Sequence, residues 1–186
     1  DKSAVSWPNL YQKGINLLTG NPLRREIIIA PKIHRRPTLY ISGGHQGSKT
    51  IDQAVRPLLP QLTKKYLVFH QTQQPNLFRG QNYFSARWFD TPRHAQIMSQ
   101  TDLSISRAGA NTITELAFMG IPAILIPLPW AGANEQLKNA GILAETGLGQ
   151  IITQKLLTAD SLKNAIGQME KIQNWETARK NATKLI

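Results

Sequence analysis

Short apolar runs alternate with amphipathic stretches along most of this chain, and this alternation constrains its fold more than any other feature. Runs such as Thr38–Ser42 and Pro122–Ile126 are short and apolar, and they are predicted to form strands. The stretches between such runs, for example Asn111–Met119, carry apolar residues at helical spacing. The repeated strand–helix pattern predicts an α/β fold, a doubly wound, Rossmann-like parallel sheet with helices on both faces.

Glycines, prolines and polar turns divide the chain into its predicted elements. The predicted strands are Thr38–Ser42, Tyr66–His70, Tyr83–Phe89, Asp102–Ser106, Pro122–Ile126 and Gly149–Thr153. The predicted helices are Ser48–Leu59, Thr91–Ser99, Asn111–Met119, Asn134–Glu145, Thr158–Gln173 and Trp175–Ile186. Such sheets bind ligands at the carboxyl ends of their strands, so the loops that follow the strands are the candidate site.

The 186 residues fit one domain of ordinary size, with a poorly patterned segment at the start. Residues 1–31 are predicted to be an interdomain linker or edge segment, and residues 32–186 a ligand-binding domain. The sequence has neither a run of about 18 apolar residues nor an apolar signal core. These features are compatible with a cytoplasmic protein.

The net charge of +11 and the absence of cysteine narrow the range of partners. Without cysteine the chain has no disulfide and no thiolate metal site. The charge predicts a phosphate-rich ligand or an anionic membrane surface, whereas nucleic acid is not expected because no aromatic-and-basic recognition motif accompanies it. The four histidines lack metal-site spacing and no Ser-His-Asp set is evident, so we predict no metal, no cofactor and no catalytic residue.

The loop from Gly43 to Ser48, with the sequence GGHQGS, joins a predicted strand to a predicted helix. Gly44 and Gly47 let the backbone approach an anion closely, and the helix start offers unpaired N–H groups. With His45 and Gln46 between these glycines, the loop is a candidate phosphate site. The alternative is a tight turn, since the Gly-Lys-Ser/Thr of a Walker loop is absent.

A second strand-to-helix loop, RAGANTITE, leads into the helix that carries Glu115. Its other candidate ligand-binding residues are Arg107, Gly109, Ala110, Asn111 and Thr112. Glu115 lies one helical turn beyond Asn111, where a carboxylate can accept two hydrogen bonds from a ribose diol. The alternative is a solvent-exposed glutamate that the helix dipole favours.

Two further segments carry candidate ligand-binding side chains. Glu135 and Gln136 follow a predicted loop and can address sugar hydroxyls, or they can simply be polar surface residues. Arg24 follows the turn that Gly20 begins, and its guanidinium can reach a diphosphate through charge-assisted hydrogen bonds. The alternative for Arg24 is an ordinary surface arginine.

Four motifs occur in the order found in the MurG family, bacterial N-acetylglucosaminyltransferases that complete the lipid-linked peptidoglycan precursor. They are GNPLR at 20–24, GGHQGS at 43–48, RAGANTITE at 107–115 and NEQLKNA at 134–140. The sequence resembles the C-terminal half of that family over nearly its whole length. The glycine-rich, lipid-facing loops of the family's N-terminal domain are missing.

The resemblance implies a GT-B fold, of which this chain is the C-terminal, donor-binding domain for UDP-N-acetylglucosamine. It implies that Glu115 binds the ribose hydroxyls and that the backbone of Phe89 reads the uracil, with Trp88 beside it. The other implied contacts are Arg24, His45 and the amides of Ala110–Thr112 for the diphosphate, and Glu135 and Gln136 for the sugar.

The implied reaction is an inverting transfer of N-acetylglucosamine from UDP to the 4-hydroxyl of a lipid-linked muramyl pentapeptide. The enzyme would be cytoplasmic and peripheral on the inner face of the cell membrane. The base and the acceptor site would lie on the N-terminal domain, so this chain alone is expected to be inactive.

Three alternatives stay open from the sequence. One is the donor-binding domain of another UDP-sugar transferase, such as a glycolipid synthase, and another is a non-catalytic donor-binding subunit that needs a partner chain. The third, which the motifs favour least, is a basic nucleic-acid binder. His45 stands where the family usually has serine, and Glu135 stands where it has glutamine or histidine. With His45 in place of serine, the loop lacks the hydroxyl that would contact the phosphate. With Glu135 in place of glutamine or histidine, the sugar that is bound can differ from the family's sugar.

Overall fold

The computed structural model describes residues 3–5, 7, 13, 16–30, 36–130, 132–172 and 175–185. The strands are β1 (Ser3–Val5), β2 (Asn16–Leu18), β3 (Thr38–Ser42), β4 (Leu67–Gln71), β5 (Tyr83–Ala86), β6 (Leu103–Ser106), β7 (Ala123–Leu125) and β8 (Gly149–Ile151). The α-helices are α1 (Arg25–Ile29), α2 (Lys49–Val55), α3 (Leu59–Lys65), α4 (Thr91–Gln100), α5 (Ala110–Met119), α6 (Glu135–Glu145), α7 (Ala159–Glu170) and α8 (Glu176–Ala182).

Strands β3 to β8 form one six-stranded sheet in the order β5-β4-β3-β6-β7-β8. Every neighbouring pair in this sheet is parallel. Parallel strands require crossover connections. Helices supply them here except between β4 and β5, where residues 72–82 form a loop. The predicted doubly wound α/β fold is confirmed. Strands β1 and β2 form a separate parallel pair.

Two apolar cores lie on opposite faces of the six-stranded sheet, because successive side chains along a strand point to opposite faces. Leu39 and Ile41 of β3 pack in the core that α2, α3 and α7 cover. Tyr40, between them, packs in the other core with residues of α4, α5 and α6. Tyr40 is therefore on the same face of the sheet as the helix that carries Glu115.

Several predicted boundaries agree closely with the structure. Strand β3 spans the predicted residues, and α5 ends at Gly120, whose φ of 63° is the predicted left-handed C-cap. The predicted strand Tyr83–Phe89 is shorter than expected and ends at Ala86. Ala86 pairs with Gln71, the last residue of β4, so the next residues have no neighbouring strand to pair with.

The predicted helix Ser48–Leu59 is instead a longer run of three segments. Helix α2 passes into a 3-10 turn at Arg56–Leu58, which passes into α3. Pro57 and Pro60 each lie in the first two positions of a new segment, where a missing N–H costs nothing. The prolines therefore divide the helical run without ending it. The predicted helices Thr158–Gln173 and Trp175–Ile186 are too long, since α7 ends at Glu170 and α8 at Ala182. The predicted end residues Gln173 and Ile186 themselves lie outside the described residues.

Part of the predicted linker, residues 1–31, packs against the domain. Trp7 is 2% exposed, and its Nε1 donates a hydrogen bond of 3.2 Å to Oδ1 of Asn139 on α6. Ile27 of α1 is fully buried in the same core as Tyr40. The packing thus crosses the predicted boundary, and a role of this segment between two domains stays a prediction. Within the described part of the chain, no helix has the length and apolar character that crossing a membrane requires.

We expect Trp7→Ala to lower the free energy of unfolding by about 3–5 kcal/mol, the usual cost of removing a buried aromatic side chain. Denaturant-induced unfolding measures this change. Trp130→Ala is the matched control, because Trp130 is 72% exposed and its removal should change stability by less than about 0.5 kcal/mol. Equal effects of the two substitutions would contradict the anchoring of the first segment by Trp7.

Candidate functional site

A crevice opens at the carboxyl ends of β3 and β6. The chain leaves β3 toward β4 and β5 on one side, and later returns to place β6 on the other side of β3. The loops that follow β3 and β6 therefore run to opposite faces of the sheet and leave a gap between them. The candidate loops 43–48 and 107–112 border this gap, as the sequence predicted for loops that follow strands.

The glycine-rich loop after β3 has the tight geometry that its glycines allow. Gly44 and Gly47 have φ values of 78° and 70°, in the left-handed region that favours glycine. A Cβ on Gly43 would lie 2.2 Å from the backbone nitrogen of Ser48, so no larger residue fits there. The side chain of Ser48 caps α2 by accepting a hydrogen bond from the Ile51 amide. These glycines have no side chains to cover the loop, so its backbone lines the crevice.

Helix α5 presents its N-terminus to the same crevice. Gly109 is its N-cap residue, and no side chain among the described residues caps the helix. The amides of the first turn, from Ala110 to Thr112, are available to an external acceptor, and the helix dipole adds positive potential. Together with the glycine-rich loop, this turn lines a cavity of about 750 Å³. The arrangement is suited to a phosphate group.

Arg107 lines this cavity, but its guanidinium is directed into the protein. Its nitrogens donate to Oγ of Ser48 at 2.7 Å, to Oε1 of Gln154 at 2.7 Å and to the carbonyl of Ile126 at 3.1 Å. Burial lowers the pKa of Arg107 from its ordinary value. In the structure Arg107 connects the crevice loops to each other, and its predicted contact with a ligand stays a prediction.

Glu115 is the acidic group at the centre of the site. Its side chain is only 5% exposed, so the alternative of a solvent-exposed helix glutamate is wrong. Oε1 accepts a hydrogen bond of 2.7 Å from Nε of Arg24, and Oε2 lies 3.0 Å from Nε2 of His94. Arg24 is thus an ion-pair partner of Glu115 in this structure, and its predicted contact with a diphosphate stays a prediction.

The two neighbours of Glu115, His94 and Arg24, lower the pKa of its carboxyl. Burial on its own would raise this pKa. The interactions with His94, above all its hydrogen bond, and with Arg24 outweigh burial, so the pKa of Glu115 lies below its ordinary value. Glu115 is therefore a carboxylate at neutral pH and acts as an acceptor only.

A smaller cavity of about 180 Å³ adjoins the larger one, and Glu115 lines it. Phe89 and Trp88 also line it, and Phe89 is buried whereas half of the Trp88 side chain is exposed. The rings of Trp88 and His45 meet edge to face, with centroids 5.1 Å apart. His45 is exposed and lines both cavities, so it lies where the two join.

Glu135 and Gln136 occupy different environments at the start of α6. Gln136 lines the larger cavity, and its Oε1 accepts hydrogen bonds from the amides of Leu128 and Ala108, which leaves its NH₂ group for another partner. Glu135 is exposed and does not line either of these cavities. The structure therefore brings Gln136 to the crevice and leaves Glu135 beside it. Gln46 also lines the larger cavity.

Two residues at the site, His94 and Tyr40, were not predicted from the sequence. His94 lies in the first turn of α4, and its Nδ1 is 3.4 Å from the hydroxyl of Tyr40. The sequence did contain a signal, since His94 and Glu115 both lie in the first two turns of helices that follow strands. A search for a carboxylate partner at that sheet edge, instead of metal-ligand spacing, would have paired them.

The comparisons with known proteins agree with this geometry. The glycosyltransferase family 28 C-terminal domain matches residues 38–185. This chain belongs to glycosyltransferase family 28. The match covers both loops of the crevice and the whole six-stranded sheet, so the family 28 domain and the candidate site coincide.

Two curated relatives are UDP-N-acetylglucosamine–N-acetylmuramyl-(pentapeptide) pyrophosphoryl-undecaprenol N-acetylglucosamine transferases. The one from Synechocystis sp. is 35% identical over 153 residues, which are 79% of this chain and 42% of the relative. The one from Clostridium novyi is 35% identical over an alignment of 190 residues, and the alignment covers 92% of this chain and 53% of the relative. The chain thus spans about half the length of these relatives.

Among solved structures, Acinetobacter baumannii MurG matches with a TM-score of 0.72 and 25% identity. That match covers 97% of this chain and 54% of MurG. The glycosyltransferase of kitacinnamycin matches with a TM-score of 0.71, 16% identity, 94% of this chain and 45% of its own, which shows a shared fold. The family 28 domain described here is therefore the C-terminal domain of a GT-B glycosyltransferase, as the sequence predicted.

We expect Glu115→Gln to lower the free energy of unfolding by about 1–3 kcal/mol at pH 7, because the variant loses charge-assisted hydrogen bonds to Arg24 and His94. A depressed folded-state pKa stabilises the fold above the unfolded pKa of about 4.3, and this contribution is lost as the pH falls through the folded value. The difference from the wild type should therefore hold above the unfolded pKa and shrink as the pH falls below it, as followed by chemical denaturation.

Glu176→Gln is the control for this measurement. Its carboxylate is 65% exposed and pairs with Lys180 on the same helix, so its loss should cost less than about 0.5 kcal/mol. A Glu115→Gln variant as stable as the wild type at pH 7 would contradict the buried ion pair.

Proposed function

We propose that this chain is the donor-binding domain of an inverting N-acetylglucosaminyltransferase that uses UDP-N-acetylglucosamine. The observation that carries the proposal is the buried Glu115 carboxylate beside two anion-binding features, the glycine-rich loop and the uncapped N-terminus of α5. A carboxylate accepts hydrogen bonds from a diol, and helix N-termini bind phosphate. Glu115 lines the smaller cavity and the glycine-rich loop lines the adjoining larger one, which matches the order of ribose and diphosphate in a nucleotide.

The residue roles follow from this placement. Glu115 binds the ribose hydroxyls, and the backbone of Phe89 with Trp88 beside it contacts the uracil in the smaller cavity. The loop with Gly44, His45, Gln46 and Gly47 and the turn with Gly109, Ala110, Asn111 and Thr112 bind the diphosphate. Arg24 turns from Glu115 to the diphosphate, Arg107 holds the two loops together, and Gln136, with Glu135 beside it, addresses the sugar.

The chemical contribution of this domain is to bind the donor and to stabilise the leaving group. When the bond between sugar and diphosphate breaks, negative charge develops on UDP. The amides of the first turn of α5 are positioned to take up this charge without rearranging, and Arg24 joins them once it has turned from Glu115. Inversion also needs a base that removes the proton of the acceptor hydroxyl, and we assign that base to the other half of the enzyme.

The acceptor and the location come from the relatives. The names of these relatives describe N-acetylglucosamine transfer to an N-acetylmuramyl-(pentapeptide) pyrophosphoryl-undecaprenol. We extend this acceptor to the whole enzyme, with contact through an N-terminal domain. A lipid-linked acceptor and a net charge of +11 support a peripheral position on an anionic cytoplasmic membrane face.

We expect the chain to bind UDP more tightly than ADP in isothermal titration calorimetry. Glu115→Gln should weaken UDP binding about 10- to 150-fold, the equivalent of about 1.5–3 kcal/mol for hydrogen bonds to a charged group. Glu176→Gln should leave the affinity unchanged, since Glu176 lies on α8 and does not line either cavity. Equal affinities for UDP and ADP, or no binding of either, would contradict the proposed donor.

We expect the 186-residue chain alone to transfer no sugar. Positioning acceptor against donor contributes up to about 7–11 kcal/mol to lowering a barrier, and half of a cleft cannot supply it. The assay is UDP release from UDP-N-acetylglucosamine with a lipid-linked muramyl acceptor, with UDP-glucose as the control donor. Fusion to the N-terminal half of a relative should restore release. Robust, acceptor-dependent release by the chain alone would refute the two-domain mechanism.

A further inference from the structure

We infer that His94 is a positioning residue that orients the Glu115 carboxylate toward the ribose of the donor. The inference rests on the proposed function, because it concerns how the ribose-binding group is held. His94 belongs to none of the sequence motifs, and its imidazole contacts Glu115 and Tyr40.

The two partners of Glu115 differ in how they are anchored. Arg24 reaches Oε1 through a long side chain that is 36% exposed, and it comes from the segment that precedes α1. His94 reaches Oε2 from the first turn of α4, where its side chain is 10% exposed. A ligand can therefore exchange for Arg24, while His94 stays on the carboxylate.

Tyr40 sets which nitrogen of His94 carries the proton. Burial raises the pKa of Tyr40 to about 12, so its hydroxyl keeps its proton at neutral pH. This hydroxyl is 3.4 Å from Nδ1 of His94, and the two rings meet edge to face with centroids 5.6 Å apart. When Tyr40 donates to Nδ1, Nε2 is the nitrogen that carries an N–H. That proton is then donated to Oε2 of Glu115.

Regular secondary structure fixes both ends of this chain of hydrogen bonds. Tyr40 lies in the middle of the central strand β3, and Glu115 lies in the second turn of α5, so both ends belong to regular structure. His94 holds one oxygen of the carboxylate and thereby limits rotation of the carboxylate plane. A diol needs two acceptor directions at a set spacing, and a fixed plane supplies them without an ordering cost at binding.

A positioning role of His94 predicts that its loss weakens the contact with the ribose 2′-hydroxyl, whereas a purely structural role predicts equal weakening with and without that hydroxyl. Calorimetry measures the dissociation constants of UDP and 2′-deoxy-UDP for the wild-type chain, His94→Leu and His94→Gln. Leucine fills similar space without an N–H, whereas glutamine keeps a donor at similar reach. We expect the wild type to prefer UDP about tenfold or more. We expect that preference to fall to about twofold in His94→Leu and to return at least halfway in His94→Gln.

Two outcomes would overturn the inference. If His94→Leu weakens both nucleotides by the same factor, or keeps the wild-type preference, the positioning role is overturned. If the wild type itself does not distinguish the two nucleotides, the assignment of Glu115 to the ribose fails, and the inference fails with it.

Thermal unfolding checks that each variant is folded. If His94→Leu does not fold, Tyr40→Phe decides the question, because it removes only the hydroxyl that fixes the tautomer. We expect Tyr40→Phe to lower the preference for UDP at least twofold, and an unchanged preference overturns the inference.

Discussion

The reversal of strand order between β3 and β6 is the constraint on which the candidate site depends. In a parallel sheet all loops after strands emerge at the same edge, and only at the reversal do two neighbouring loops separate. Here the separated loops end in a glycine-rich turn and in an uncapped helix, so two sources of positive potential face each other. Glu115 is a buried acid within this positive surrounding, and its position requires the partners Arg24 and His94.

The need to satisfy buried charge also shapes the other face of the sheet. Asp52 of α2 is buried, and its two oxygens contact Nε2 of His70 at 3.0 Å and Oγ1 of Thr72 at 2.6 Å. Nδ1 of His70 in turn lies 2.9 Å from the hydroxyl of Tyr83. These contacts tie the helix that follows the glycine-rich loop to β4 and β5. The helix that follows the loop is therefore held by a buried polar cluster whose hydrogen bonds are made within the protein.

The fold could be predicted from the sequence because its signals are local. Short apolar runs, a helix-ending glycine at 120 and glycine turns such as the one after β3 each act over a few residues. The predicted crevice loops also came together, because the strand–helix alternation fixes the edge at which they emerge. The short strands β1 and β2 were missed, because they lie in the poorly patterned first segment, where no strand–helix alternation marks them.

The contacts of the site could be predicted less well than its location. Arg24 and Glu115 are 91 positions apart, and nothing in either motif shows that they pair. The helix position of Glu115 suggested exposure, whereas packing of α1 and α4 around it produced burial. Arg107 was predicted from its place in a motif, but the direction of its guanidinium depends on Gln154, beyond the end of β8. Such features arise only when distant segments meet.

If Glu115 binds the ribose diol and Arg24 the diphosphate, as proposed, their ion pair has a consequence for which molecules can occupy the crevice. A nucleoside without phosphates would separate the pair and leave a guanidinium without an anion. Free diphosphate would draw Arg24 away and leave the buried carboxylate with one partner fewer. A molecule that carries a diol and a diphosphate in one covalent frame replaces both halves of the pair at once. The protein thereby senses whether the two groups are joined, a form of selectivity that neither contact provides alone.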